Sequence, residues 1–251
     1  MRTGSRLRLL AGSWLLASIA VAAGSAAAQA SRTVHDGSGD ANLFKLGYAD
    51  FAFQDDTTVV TGDLTPPEAR LDIIDTGTLA GSYTRFVGDH LGLELLFGLP
   101  VEIDIDGDGS IADRGEVATV KALPPTLLFG YYPFGRRAAL RPYVAVALNH
   151  TIFYDAEPSQ SLQDLVLGEP EIDLSSSTDI GGFVGLNYRV TGRLHVSGLA
   201  GYVPIETTAD LVTDTFFPVP DGTQIPLGTI ERSVDVEVNP FVFLGTVGVS
   251  F

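Results

Sequence analysis

The chain has 251 residues, 15 basic against 31 acidic side chains, a formal net charge of −16 and no cysteine. That balance argues against nucleic acid, whose phosphates call for Lys and Arg. The missing cysteine excludes disulfides, thiol chemistry and a cysteine-linked lipid anchor.

Arg2, Arg6 and Arg8 precede an apolar run over residues 9–23, which is followed by small residues ending in Ala28-Gln29-Ala30. This order predicts a cleavable secretory segment over residues 1–30, leaving one domain over residues 31–251. The apolar run falls short of the ~20 residues that a helix needs to cross a membrane. Without the segment, 12 basic residues face all 31 acids. No later stretch is long and apolar enough for a membrane helix, so membrane entry would require a closed barrel.

Candidate strands follow in chain order at residues 43–53, 75–85, 90–99, 119–132, 143–154, 179–190 and 194–205, with the last ending at Phe251. Residues 90–99 read most clearly: Leu91, Leu93, Leu95, Phe97 and Leu99 form one apolar face, alternating with His90, Gly92, Glu94, Leu96 and Gly98. Phe241, Phe243, Val247, Val249 and Phe251 repeat that period of two at the end of the chain. Segments of about ten residues with this alternation, in even number, are the signature of transmembrane strands. Connections alternate between tight turns at 87–89, 135–139 and 191–192 and long polar stretches at 54–74, 100–118, 155–178 and 210–236. The long stretches are rich in Pro, Gly and Asp and read as loops. Arg85, Arg136, Arg137, Arg141, Arg189 and Arg193 flank the tight turns. The expected fold is all-β: an eight-stranded antiparallel transmembrane barrel of a Gram-negative outer membrane. Its short turns would be periplasmic and its four long loops extracellular. A soluble sandwich would not sort its connections by length in this way.

If the large apolar faces meet lipid, the opposite faces line a lumen with few charges. Leu128, Tyr132, Phe153, Phe183, Val242 and Leu244 are its candidate solute-path residues. Eight strands enclose room for side chains or one small ligand, so both an apolar conduit and a plugged barrel remain open. Pro124 and Pro125 fall inside a strand, where proline cannot donate to the ladder, and Pro100 ends the neighbouring strand. Together they mark a candidate lateral exit; the alternative is a bulge that only shapes the rim.

Asp104, Asp106, Asp108 and Ser110 open a run like an EF-hand calcium loop. Its twelfth position is Gly115, with Glu116 one residue late, so the match is incomplete. Divalent ions there could bridge the acidic surface to lipopolysaccharide phosphates. No other cofactor is required. The four histidines, His35, His90, His150 and His195, form no H-E-x-x-H pair, and no G-x-S-x-G elbow or phosphate loop occurs. A rim pairing of His150 with Asp155 is the one enzymatic arrangement left, and it lacks an activated nucleophile. Phe251 reads as the terminal-strand signal for barrel-assembly machinery. A structural or adhesive envelope protein acting through acidic loops is the remaining alternative.

Several blocks together resemble the OmpW-type outer-membrane proteins. They are Ala122-Leu123-Pro124-Pro125-Thr126-Leu127-Leu128 with Tyr131-Tyr132, and Arg141-Pro142-Tyr143-Val144 running to Asn149-His150-Thr151 and Phe153-Tyr154-Asp155. Ile205-Glu206-Thr207-Thr208-Ala209 and Asn239-Pro240-Phe241-Val242-Phe243 complete the set. The blocks keep the family's order and spacing over nearly the whole mature chain, whereas the first and fourth loops do not match closely. The resemblance implies an eight-stranded barrel with a narrow apolar interior, associated with passage of small hydrophobic molecules across the lipopolysaccharide layer.

Overall fold

The computed structural model describes residues 40–57, 59–218 and 224–251. The expected secretory segment over residues 1–30 lies outside the described residues. The first half of the chain holds β1 (Asn42–Ala52), β2 (Asp55–Thr57), β3 (Thr61–Gly62), β4 (Ala69–Ile73), β5 (Thr76–Val87), β6 (Leu91–Gly98), β7 (Val101–Gly109), β8 (Glu116–Leu123) and β9 (Thr126–Tyr131). The second half holds β10 (Leu140–Pro158), a short helix α1 (Gln160–Val166), β11 (Pro170–Leu174), β12 (Ser177–Thr191), β13 (Leu194–Tyr202), β14 (Ile205–Pro218), β15 (Gln224–Val238) and β16 (Phe241–Ser250).

Eight of these strands pair in a ring, β1-β5-β6-β9-β10-β12-β13-β16, every neighbour antiparallel. β16 closes on β1, with Leu43 opposite Ser250 and Phe51 opposite Val242. Closure leaves no sheet edge along the paired rungs, so their donors and acceptors are satisfied without water, which is what lets strands cross a bilayer. The outer face carries exposed apolar side chains such as Leu46, Leu93, Phe129, Val146, Val184 and Val247. The barrel therefore presents lipid with the leucine and valine rows read from the sequence.

Two expectations need correction. The long polar stretches are not open loops: residues in them form β4, β7, β8, β11, β14 and most of β15, which extend the barrel on the side opposite the tight turns. β10 is 19 residues long, against the ~10 needed to span a membrane. Its first part pairs with β9 and β12, and its last part, from Ile152, continues upward on β8. β4, β7 and β8 line up beside it, while β11, β14, β15 and β2 form the facing sheet. These strands keep the period of two with its outer residues changed. Val101 and Ile103 point inward while Glu102 and Asp104 face water, so acidic composition masked a regular strand. The fourth expected strand, residues 119–132, is likewise two strands, β8 and β9, broken at Pro124-Pro125.

α1 closes the top. Ser159 caps it by accepting a hydrogen bond from the Leu162 amide (3.2 Å), and it ends at Leu167 in the left-handed region. Leu162 and Val166 bury against Val117, with Leu71, Ile105 and Leu211 packed alongside. The helix thus bridges both extension sheets. Thr215 donates to the Val166 carbonyl (3.3 Å) on one side, and Ser161 donates to that of Arg114 (2.9 Å) on the other.

Candidate functional site: the lumen and its side opening

The lumen is filled in layers, beginning at the end with the tight turns. There the Tyr132 and Tyr143 rings stack 4.6 Å apart, and Phe86 meets Tyr132 edge-on at 5.2 Å. The Arg141 guanidinium lies over Phe86 and Tyr132, 4.3 and 4.5 Å from the ring centroids. The Tyr143 ring lies against Gly185, where any β-carbon would collide with it. On the same inner faces Lys45 Nζ and Glu94 Oε1 form an ion pair at 2.6 Å, both side chains at most 3% exposed. Tyr143 also donates to Glu94 Oε2 at 3.4 Å. The expectation of a nearly uncharged lumen therefore fails at its lower end. The period of two that puts the leucines of residues 90–99 outward puts Glu94 inward, so the signal was present in the sequence.

Beyond this plug the wall turns apolar and encloses a cavity of about 280 Å3. Phe183, Val242 and Leu244 line its barrel end, and Phe153, Ile103 and Val236 belong to its upper wall. Of the six predicted solute-path residues, Phe153, Phe183, Val242 and Leu244 line the cavity, whereas Leu128 and Tyr132 do not, Tyr132 being part of the plug. No charged side chain is among the lining residues. The buried polar side chains of the lining are satisfied by one another or by backbone carbonyls. Asn149 donates to Thr126 Oγ1 (2.8 Å), Thr151 donates to Asn149 Oδ1 (2.8 Å), and Thr126 donates to the Pro124 carbonyl (3.0 Å). Thr207 donates to the Ser175 carbonyl (2.7 Å). Hydroxyls spent in this way leave a wall that offers a solute mainly dispersion contacts.

The ring is interrupted at one level. β6 and β9 pair up to Leu96 opposite Thr126, and pairing resumes between β7 and β8 with Val101 opposite Ala122. Between them residues 97–100 and 123–125 have no ladder partners in register across the gap. The prolines explain the asymmetry. The Pro125 carbonyl still accepts from the His150 amide of β10 (3.1 Å), but neither Pro124 nor Pro125 has an N–H to offer a neighbouring strand. Phe97, Leu99, Leu123, Pro124 and Pro125 are all cavity-lining residues, and Phe97 and Leu99 are exposed on the lipid side. Pro100 is exposed beside the gap without lining the cavity.

The other predicted residues are spread out. Asp104, Asp106 and Asp108 lie on β7, Ser110 follows in the turn, and Glu116 on β8 sits opposite Asp106. A strand spaces alternate residues ~6.6 Å apart along its axis instead of wrapping them around one ion, so the loop-like reading of this run is corrected. Among the described residues no group of three His, Cys, Asp or Glu side chains is gathered for a metal. His150 and Asp155 are engaged separately: the His150 ring contacts Thr178 Oγ1 at 2.7 Å, while Asp155 pairs with Lys121. Asp155 also raises the Lys121 amine above its ordinary pKa, first by hydrogen bonding and then by charge. Phe251 exchanges backbone hydrogen bonds with Asn42 (3.0 and 3.1 Å), and its exposed ring shares the outer face with Val249 and Val247.

Comparison with known proteins agrees with this architecture. Outer membrane protein W of Salmonella typhimurium is 27% identical over 180 residues, covering 72% of this chain and 76% of that protein. Its Escherichia coli counterpart is 29% identical over 170 residues, covering 68% and 71%. Among solved structures, the outer membrane protein OprG of Pseudomonas aeruginosa superposes with a TM-score of 0.71 at 25% identity, covering 85% of this chain and 96% of that one. AlkL, determined in lipid bilayers, shares the fold with a TM-score of 0.56 at 20% identity, covering 87% and 94%. The chain matches the OmpW family over residues 38–251, and it belongs to that family as a β-barrel of the outer membrane.

Proposed function

We propose that the barrel admits small apolar molecules from outside and releases them sideways into the outer leaflet between residues 97–100 and 123–125. The observation that carries this reading is one apolar cavity whose lining includes lipid-exposed Phe97 and Leu99. An apolar solute entering it gains ~25 cal/mol per Å2 removed from water. A small hydrated ion would lose its water there and meet no charged side chain in the lining. Straight passage to the periplasm would require opening the Lys45–Glu94 pair and the aromatic stack beneath the cavity. The sideways route leaves both intact. No catalytic step is needed.

The test is uptake of a medium-chain alkane into liposomes carrying the refolded protein. Wild type is expected to exceed protein-free vesicles, and Phe183→Glu or Leu244→Glu to remove the excess by putting a carboxylate into the apolar wall. Replacing Pro124 with Val and Pro125 with Thr restores two ladder donors and is expected to slow uptake. A folded wild-type barrel no faster than bare vesicles would refute the conduit. Unchanged uptake in the double-proline variant would refute the lateral exit alone. The plug itself favours a second reading, a closed barrel acting through its acidic outer surface, and that reading predicts the first of these failures.

A further inference from the structure

We infer that Arg232 is a head-group site for the cavity, and that the solutes it selects are amphipathic carboxylates, an apolar chain ending in one acid. The inference rests on the cavity being the solute site. The inner row of β15 reads Arg232, Val234, Val236, Val238, all buried, and Val236 and Val238 line the cavity. Ala209 lines it too and stands opposite Val234, so the cavity wall reaches to two residues from Arg232, ~7 Å along the strand. That is within reach of an extended arginine.

Arg232 is 5% exposed, and its Nη1 has no hydrogen-bond partner. Among the described side chains, the acids on the surrounding strands are all exposed: Glu231 and Asp235 on β15, Asp210 and Asp214 on β14, Glu171 and Asp173 on β11, and Asp63 just after β3. Leu211 is its partner across the ladder. Further along the inner face of β14, the Thr213 hydroxyl is fully buried and also without a partner. Two unsatisfied donors thus stand beyond the last lining residues of the apolar wall, in a chain with about twice as many acids as bases. A guanidinium stays charged, and burying it without a counter-ion is costly. The cost is recovered when the counter-ion arrives on the ligand. The planar fork of Arg matches a carboxylate with two parallel hydrogen bonds, and one positive charge balances a monoanion.

The experiment uses the full barrel in phosphatidylcholine nanodiscs with carboxyl-13C-labelled decanoate, and decane uptake into liposomes as a parallel readout. Wild type is expected to give a protein-dependent carboxyl resonance that stays ionised to lower pH than decanoate in empty nanodiscs. Arg232→Gln should weaken decanoate binding about tenfold or more while decane uptake is unchanged, and Arg232→Lys should recover part of the loss. A wild-type carboxyl that titrates as it does in empty nanodiscs overturns the inference, and this result needs no variant to fold. Decane uptake without decanoate preference removes the head-group site and leaves the conduit standing. Failure of both ligands in a folded barrel removes the two together.

Discussion

β1 and β6 contribute Lys45 and Glu94 to the lower lumen, yet a few residues further along the same strands they contribute Ala49, Phe51 and Leu96 to the apolar cavity. The ladders run without a break from the charged level to Phe51 on β1 and Leu96 on β6, so up to the proline gap the backbone is satisfied whichever side chains face inward. A closed barrel can therefore change the polarity of its interior rung by rung at no cost in pairing. Here the lower rungs hold a charged and aromatic closure, and the upper rungs hold a wall whose hydroxyls are bonded among themselves. The gap at Pro124-Pro125 opens on the apolar level and not on the charged one.

The largest effect is expected from breaking the lower level. Glu94→Leu leaves Lys45 buried without its counter-charge and should destabilise the barrel by about 3–5 kcal/mol. Urea unfolding in lipid vesicles reads the change. Combining it with Lys45→Met removes both charges from a tightly enclosed site and should restore most of the stability, because apolar replacement of a whole buried pair is often neutral. Equal losses in the single and double variants would mean that the ion pair does not account for the closure.

Much of this contrast was legible in the sequence, through one signal. The period of two assigned the inward faces of residues 126–132, 145–153, 181–187 and 242–248, while Pro124 and Pro125 themselves marked where pairing would break in a strand it had read as one. It failed where composition was allowed to outvote it. The run from Val101 to Gly109 alternates as regularly as any membrane strand, but its acids drew a reading as a loop with a cation site. Tertiary pairing with β4 and β8 makes it a strand, because the barrel extension offers ladders on both sides. α1 left only the Ser159 cap and Leu162, Leu165 and Val166 at helical spacing, too little over seven residues to stand out. The ion pair and Arg232 depend on which side chains the pairings of β1, β5 and β6 and of β14 and β15 bring together, and no single strand's pattern shows that.

A matched pair of substitutions sharpens the comparison at intermediate size. Gly185 and Gly201 each lie against an aromatic ring, Tyr143 in the plug and Phe183 at the cavity wall. An alanine at either position drives its β-carbon into that ring. Overpacking of this kind costs about 1–3 kcal/mol. In Gly185→Ala the Tyr143 ring is held by its stack on Tyr132 and its hydroxyl on Glu94, so the strain should appear as lost stability with alkane uptake unaltered. In Gly201→Ala, Phe183 can turn into the open cavity, so stability should change less and uptake should fall. The same phenotype from both variants would erase the functional distinction between the two levels.

The smallest effect belongs to the top of the upper level, where α1 packs beside Leu71 and Ile105 of the cavity wall. Ser159 holds the helix at two points: its hydroxyl accepts from the Leu162 amide and donates to the Glu116 carbonyl at 2.8 Å. Ser159→Ala removes both and should cost about 1 kcal/mol, the usual worth of a helix cap. The loss should be local, because Leu162 and Val166 stay packed on Val117 and the barrel ladders do not involve the helix. Hydrogen exchange should therefore quicken at the amides of Leu162 and Gln163 and remain unchanged in β1 and β16. Unchanged exchange at Leu162 would mean that the cap does not seat the helix, leaving that to apolar packing on Val117 and to the Ser161 and Thr215 hydroxyls.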